Sequence, residues 1–326
     1  MRKFVSAAAM ALSIITAGQA QSVARYTLSD NLATRSGYSY NQLYFEAAPA
    51  PDFSLNVSVG RTRITGPAPD ITRSLGFGGW ILATRKLDVA VGYDTYNGEK
   101  SQVLRLKDLA YVGVKPDRQT VHTLYGTLGL DLIGGEGGGG DEADEDGEAG
   151  SKMRLELGAS SARNIIPVWV ERFAPLKGRL VDQRLKDYEI VDTAYSSKLA
   201  VTLADTTLSG SYRRHHYTQP PPPPEASRPE IAAIVRAITW LTVNGLPPFP
   251  RYESTVKLEH KLTARFGLSA AYDYILTNQT GGIVRYLTGE ASWEVLSWLE
   301  IRGGSYWERM EGGTTRFTTM GVSLYF

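Results

Sequence analysis

The sequence predicts an all-β fold: a closed antiparallel transmembrane β-barrel of about 16 strands, with 14 or 18 also compatible, and one short helix in a long outer loop. Three observations lead there. The first is a period of two. Phe53, Leu55, Val57 and Val59 alternate with Ser54, Asn56, Ser58 and Gly60, and Leu268, Ala270, Tyr272 and Tyr274 alternate with Ser269, Ala271 and Asp273. Such alternation gives a strand one apolar and one polar face. The second is length. Many of these runs reach about 10 to 13 residues, whereas a globular strand has about 5 to 6 and a tilted membrane strand about 9 to 11. The third is the ending Gly321-Val322-Ser323-Leu324-Tyr325-Phe326, which places Val322, Leu324 and Phe326 on one side of an extended chain with no polar tail after them.

At the other end, residues 1–20 have the make-up of a secretory signal peptide. Arg2 and Lys3 supply charge, Phe4 to Ile15 an apolar stretch, and Gly18-Gln19-Ala20 a small-x-small cleavage site, so that Gln21 begins the mature chain. Residues 21–326 then form a single barrel domain. The 326 residues include no cysteine, which excludes disulfides and thiol chemistry. The net charge of +1 carries no nucleic-acid footprint, and beyond the signal no apolar run reaches 18 residues, so no transmembrane helix is expected.

In chain order the candidate strands are 22–30, 37–47, 53–65, 71–83, 87–96, 101–114, 119–132, 152–158, 164–173, 188–204, 206–217, 251–262, 266–277, 282–294, 298–309 and 316–326. An even number places both termini on one side. The long connections 133–151, 174–187 and 218–250 then share the opposite side, while links such as 48–52, 84–86, 159–163 and 204–205 are short. Short turns on one side and longer loops on the other are the expected asymmetry of such barrels.

The stretch Thr319 to Phe326 resembles the C-terminal β-signal of bacterial outer-membrane β-barrel proteins: a polar residue, a glycine at Gly321, and apolar positions two apart that close through Leu324 on Phe326. The resemblance, porin-like in its broad features, implies recognition by the barrel assembly machinery and pairing of the last strand with the first. It also implies the outer membrane of a Gram-negative-type bacterium, both termini periplasmic, and contact with membrane lipid and lipopolysaccharide. Phe326, Phe53, Phe266 and Trp298 at one end, with Tyr93, Trp307 and Tyr274 at the other, suit two interfacial aromatic girdles.

The alternation assigns Glu253, Lys257, Glu259, Lys261, Asp273, Glu290, Glu294, Glu300, Arg302 and Glu308 to the face away from the apolar side. Mixed charge on one face suggests a hydrated lumen, and 16 strands leave room for water where 8 would not. Within 218–250, Pro220 to Pro224 form a stiff segment, Ser227 and Glu230 have capping-box spacing, and Ile231, Ile234, Val235, Ile238 and Leu241 recur at helical spacing. This segment is a candidate constriction of the mouth; a helix packed over the rim is the competing reading. Residues 133–151, rich in glycine, aspartate and glutamate, read as a disordered acidic loop without calcium-loop spacing. Arg214 and His216 face outward, towards lipopolysaccharide phosphates; Arg213 and His215 face the mouth.

The expected function is a porin-like channel for passive passage of small hydrophilic solutes or ions. The alternatives are a non-diffusive barrel serving envelope assembly, polysaccharide export or adhesion, and a membrane-embedded hydrolase. His122 and His260 fall on apolar faces, and no catalytic motif is present, so no enzyme, cofactor or metal site is expected. A homo-oligomer or an envelope protein partner stays open.

Overall fold

The computed structural model describes residues 25–65, 70–98, 104–105, 112–116, 120–133, 151–174, 179–218, 249–278, 282–310 and 313–326. These fold into β1 (Arg25–Arg35), β2 (Tyr38–Ala50), β3 (Phe53–Ile64), β4 (Asp70–Thr84), β5 (Leu87–Gly98), β6 (Leu104–Arg105), β7 (Val112–Pro116) and β8 (Thr120–Ile133). The chain continues as β9 (Lys152–Ala174), β10 (Arg179–Leu203), β11 (Thr206–Tyr217), β12 (Pro250–Thr263), β13 (Phe266–Thr277), β14 (Ile283–Leu296), β15 (Leu299–Met310) and β16 (Gly313–Tyr325). Fourteen of them, β1–β5 and β8–β16, make a closed antiparallel wall, the lower of the strand numbers that the sequence leaves open.

The wall closes where β16 meets β1, in register from Thr27↔Tyr325 to Thr34↔Thr318. Beyond Tyr325, the Phe326 amide donates to the Tyr26 carbonyl at 2.9 Å and the Tyr26 amide to the Phe326 carbonyl at 3.0 Å. Closure leaves no wall strand with an unpaired edge, which is the condition for a sheet to cross hydrocarbon. The outward face meets the other condition. Leu55, Phe77, Val91, Leu124, Val256 and Leu287 are each 50–63% exposed, an apolar belt that only lipid would cover favourably.

At the end carrying the termini, five turns have two residues: 51–52, 85–86, 204–205, 264–265 and 297–298. Bulges flank four of them, at Ala47/Ala50, Leu82/Thr84, Lys261/Thr263 and Glu294/Leu296, adding the local twist that a tight reversal needs. The fifth, Ala204-Asp205, places Ala204 at φ 48°, in the left-handed region.

Several sequence expectations are corrected. Segment 101–114 is not a wall strand, because β8 pairs directly with β5; instead β6 pairs with β7, and β7 pairs with β9 at Val168–Arg172, beyond the stretch of β9 that β8 covers. The turn expected at 159–163 does not exist. β9 runs unbroken through its small residues, and Ser160 accepts from the Arg213 guanidinium at 2.6 Å on the inner face. The loop expected at 174–187 is mostly strand: β9 and β10 stay paired up to Arg179↔Ala174, extending past their neighbours. Because 152–174 is one strand rather than two, its start lies at the terminus end. The acidic segment between β8 and β9 therefore leaves the wall beside turn 85–86, opposite the 218–250 connection rather than beside it. The signal peptide, nearly all of the acidic segment and the helix expected in 218–250, with Ile231, Ile234, Val235, Ile238 and Leu241, lie outside the described residues.

Candidate functional site

Strand register fixes which side chains look into the barrel. On β12, Tyr252, Ser254, Val256, Leu258 and His260 share the outward face with Tyr274, Tyr272 and Leu268 of β13. Glu253, Thr255, Lys257, Glu259 and Lys261 therefore face inward. The same parity puts Asp273, Glu290, Glu294, Glu300, Arg302 and Glu308 on the inner side. His122 and His260 lie outward, as do Arg214 and His216, while Arg213 and His215 lie inward.

From mid-height to the terminus end the inner wall is ionic and open. Arg154 on β9 is the hub. Its guanidinium donates to Asp88, to Asp131 at 3.1 Å and to Glu156 at 3.2 Å, and Lys198 reaches the other Glu156 oxygen at 3.3 Å. Gly129 makes room for it, since a Cβ there would collide with the Arg154 and Asp88 side-chain ends. Lys257 pairs with Glu259 at 2.6 Å, and both keep over two-fifths of their side-chain surface exposed. These groups alternate with outward Leu87, Val89, Leu155 and Leu157. The period that identifies the inner residues of β12–β15 finds Asp88, Arg154 and Glu156 too, since they alternate with these apolar residues inside the candidate strands 87–96 and 152–158.

The closing seam lies on the same side. Arg302 extends across β16 to donate to Ser323 Oγ at 3.0 Å and to Asn31 Oδ1 of β1 at 3.2 Å, and Ser29 and Ser323 share a hydrogen bond at 2.8 Å. Gly321 lies under this crossing: a Cβ would sit 2.9 Å from Asn31 Oδ1 and 3.4 Å from Arg302 Nε. Glu300 approaches Arg302 at 3.4 Å and accepts from Tyr325 at 2.7 Å. Leu324 and Phe326 face outward, Phe326 half exposed.

Away from the termini the inner wall changes character. Ile190, Ala194, Ile275, Val284 and Phe317 are the buried apolar side chains among the described residues, and all five face inward in this half. Phe317 stacks on Tyr306 at 4.2 Å between ring centres, and the Arg35 guanidinium lies 4.5 Å from its ring. Glu308, 6% exposed, accepts from Tyr286 at 3.0 Å. His215 stands between Asp192, 2.8 Å from Nδ1, and Glu253, 3.3 Å from Nε2. Where the 218–250 connection returns, Tyr217 donates to the Pro250 carbonyl at 2.7 Å and meets Phe249 edge to face. Alternation places all of these residues inward, but it carries no sign of their being covered.

No protein-family model and no curated relative matches the sequence. Solved structures do resemble the fold. The CymD monoaromatic hydrocarbon channel superposes with a TM-score of 0.55 at 10% identity, over 94% of this chain and 89% of that one. The toluene transporter TbuX of Ralstonia pickettii gives 0.50 at 11% identity, over 94% and 90%. At such low identity the likeness speaks to architecture alone: the chain has the closed β-barrel fold of outer-membrane channels.

Proposed function

We propose that the protein is an outer-membrane, porin-like channel that passes small hydrophilic solutes or ions by diffusion. The observation that carries this reading is the inner wall from mid-height to the termini, where Arg154, Glu156, Lys198, Lys257 and Glu259 keep roughly a third to a half of their side-chain surface exposed. Such a lining stays hydrated and favours polar cargo over apolar cargo. CymD and TbuX are described as a monoaromatic hydrocarbon channel and a toluene transporter; the charge on this wall sets the proposed cargo apart from theirs.

The 218–250 connection narrows the opposite mouth. Supporting this, the inner wall beside its two roots, Tyr217 and Pro250, presents Ile190, Ala194 and Ile275, a seat suited to the apolar stripe of Ile231, Ile234, Val235, Ile238 and Leu241. The C-terminal Gly321, Leu324 and Phe326 serve assembly, and the protein performs no enzymatic step. Liposome swelling tests the reading. Vesicles carrying the folded protein should swell in isotonic solutions of small sugars or amino acids and stay inert in large oligosaccharides; inert vesicles in every solute would refute passive passage.

A further inference from the structure

Near the rim away from the termini, the outward face of β14–β16 gathers three arginines. Arg285 stands directly opposite Arg309, and Arg316 lies on the next strand opposite Trp307, over whose ring its guanidinium sits at 5.5 Å. Like charges placed directly across a ladder destabilise it. Among the described residues no carboxylate pairs with any of the three; Arg316 donates only to Ser305 Oγ at 3.2 Å, and Arg285 Nε is buried without a hydrogen-bond partner. By contrast Arg163, on the same outer face, is held by Glu189 through two bonds of 2.7 and 2.8 Å. Here the described residues supply no counter-charge, so the cluster is open to an anion from outside the chain.

The surroundings indicate its chemistry. Below Arg285 and Arg309, and beside Arg316, Tyr272, Leu287 and Trp307 line a groove of about 490 Å³, with Arg285, Arg309 and Thr314 at its head. Apolar walls leading to guanidiniums fit a molecule with a hydrocarbon tail and an anionic head. Guanidinium forks match phosphate oxygens bidentately. Three adjacent strands spread the charges over roughly 10 Å, more than a single phosphate spans.

We propose that this groove binds a bis-phosphorylated glycolipid of the outer leaflet, the lipid A portion of lipopolysaccharide, with its phosphates on Arg285, Arg309 and Arg316 and an acyl chain against Leu287 and Trp307. The site rests on the membrane placement of the barrel and is independent of whether the lumen conducts. Native mass spectrometry of the folded protein in detergent, titrated with purified lipid A, with its dephosphorylated form and with phosphatidylglycerol, reads it out. Lipid A should form a one-to-one adduct at least about tenfold tighter than either of the others, a ratio within reach of one charge-assisted hydrogen bond. The combined Arg285→Gln, Arg309→Gln and Arg316→Gln variant should lose that preference, and Arg163→Gln should keep it. Equal binding of the dephosphorylated lipid or of phosphatidylglycerol would overturn the proposal, as would full lipid A affinity in the triple variant. Should that variant fail to fold, the three-lipid comparison on the unaltered protein decides.

Discussion

In the half of the lumen away from the termini, Ile190, Ala194, Ile275, Val284 and Phe317 are at most 8% exposed, whereas Lys198, Lys257 and Glu259 nearer the termini keep 41–48% of their side chains open. Both sets lie on the inner face of the same wall, and β10 carries members of each; the difference is in what each stretch of wall faces. Buried apolar side chains pointing into a cylinder need a cover: Phe317 has one in Tyr306 and Arg35, and the 218–250 connection is rooted beside Ile190, Ala194 and Ile275 at Tyr217 and Pro250. Exposed ion pairs need water. One end thus has the composition of a protein contact and the other that of an aqueous vestibule, and the seam of Arg302, Asn31 and Ser323 holds the cylinder closed in the open half.

Substitutions can break this contrast from either side. Arg154→Leu should act most strongly, because it strands Asp88, 6% exposed at its side chain, beside Asp131 and Glu156. Breaking a fully buried pair costs about 3–5 kcal/mol; the partial exposure of Arg154 reduces the expectation to about 2–3 kcal/mol, read as a lower urea midpoint for the loss of heat-modifiable folding. Gly321→Val should follow, at about 1–2 kcal/mol by the same measurement, since its side chain displaces Arg302 from Asn31 and Ser323. Retention of the full midpoint would show that the crossing does not hold the seam.

Lys198→Glu and Lys257→Glu should leave folding intact and change selectivity. A unit charge at 4 Å in a water-like medium is worth about 1 kcal/mol and a reversal changes the charge by two units, so each should raise the cation-over-anion preference by at least about fivefold in reversal-potential measurements. The matching reversal of buried Glu308 would be read as loss of folding instead. The smallest effect is expected at the turn between β10 and β11. Ala204→Gly relieves a left-handed backbone and should raise the urea midpoint by up to about 1 kcal/mol.

Much of the wall is legible in the sequence because period two is imposed by the strand itself. The runs of β12–β16, with their apolar outward residues, are found to within a few positions. Errors fall where alternation is weak or where it is present for another reason. Ala159 to Ala162 lie mid-strand, paired on both sides by β8 and β10, with Ser160 accepting from Arg213 on the inner side; a string of small residues looks like a turn only in isolation. Segment 101–114 carries strand character, but its β7 pairs with the extension of β9 past β8, a distinction of place that local pattern does not encode. One merged strand then carried the acidic segment to the other end of the barrel. Inner parity was legible for Glu253 to Glu308, while the burial of Glu308 and the covering of Ile275 depend on neighbours distant in sequence.

Single-channel conductance in planar bilayers, compared between the intact chain and a variant lacking residues 225–245, tests the central claim most directly. A charged vestibule narrowed at one mouth predicts discrete steps from the intact protein, severalfold larger steps from the deletion variant, and the same ion preference in both, because that preference is set by Arg154, Lys198 and Lys257 at the other end. Steps of equal size in the two proteins, or none in either, would contradict it.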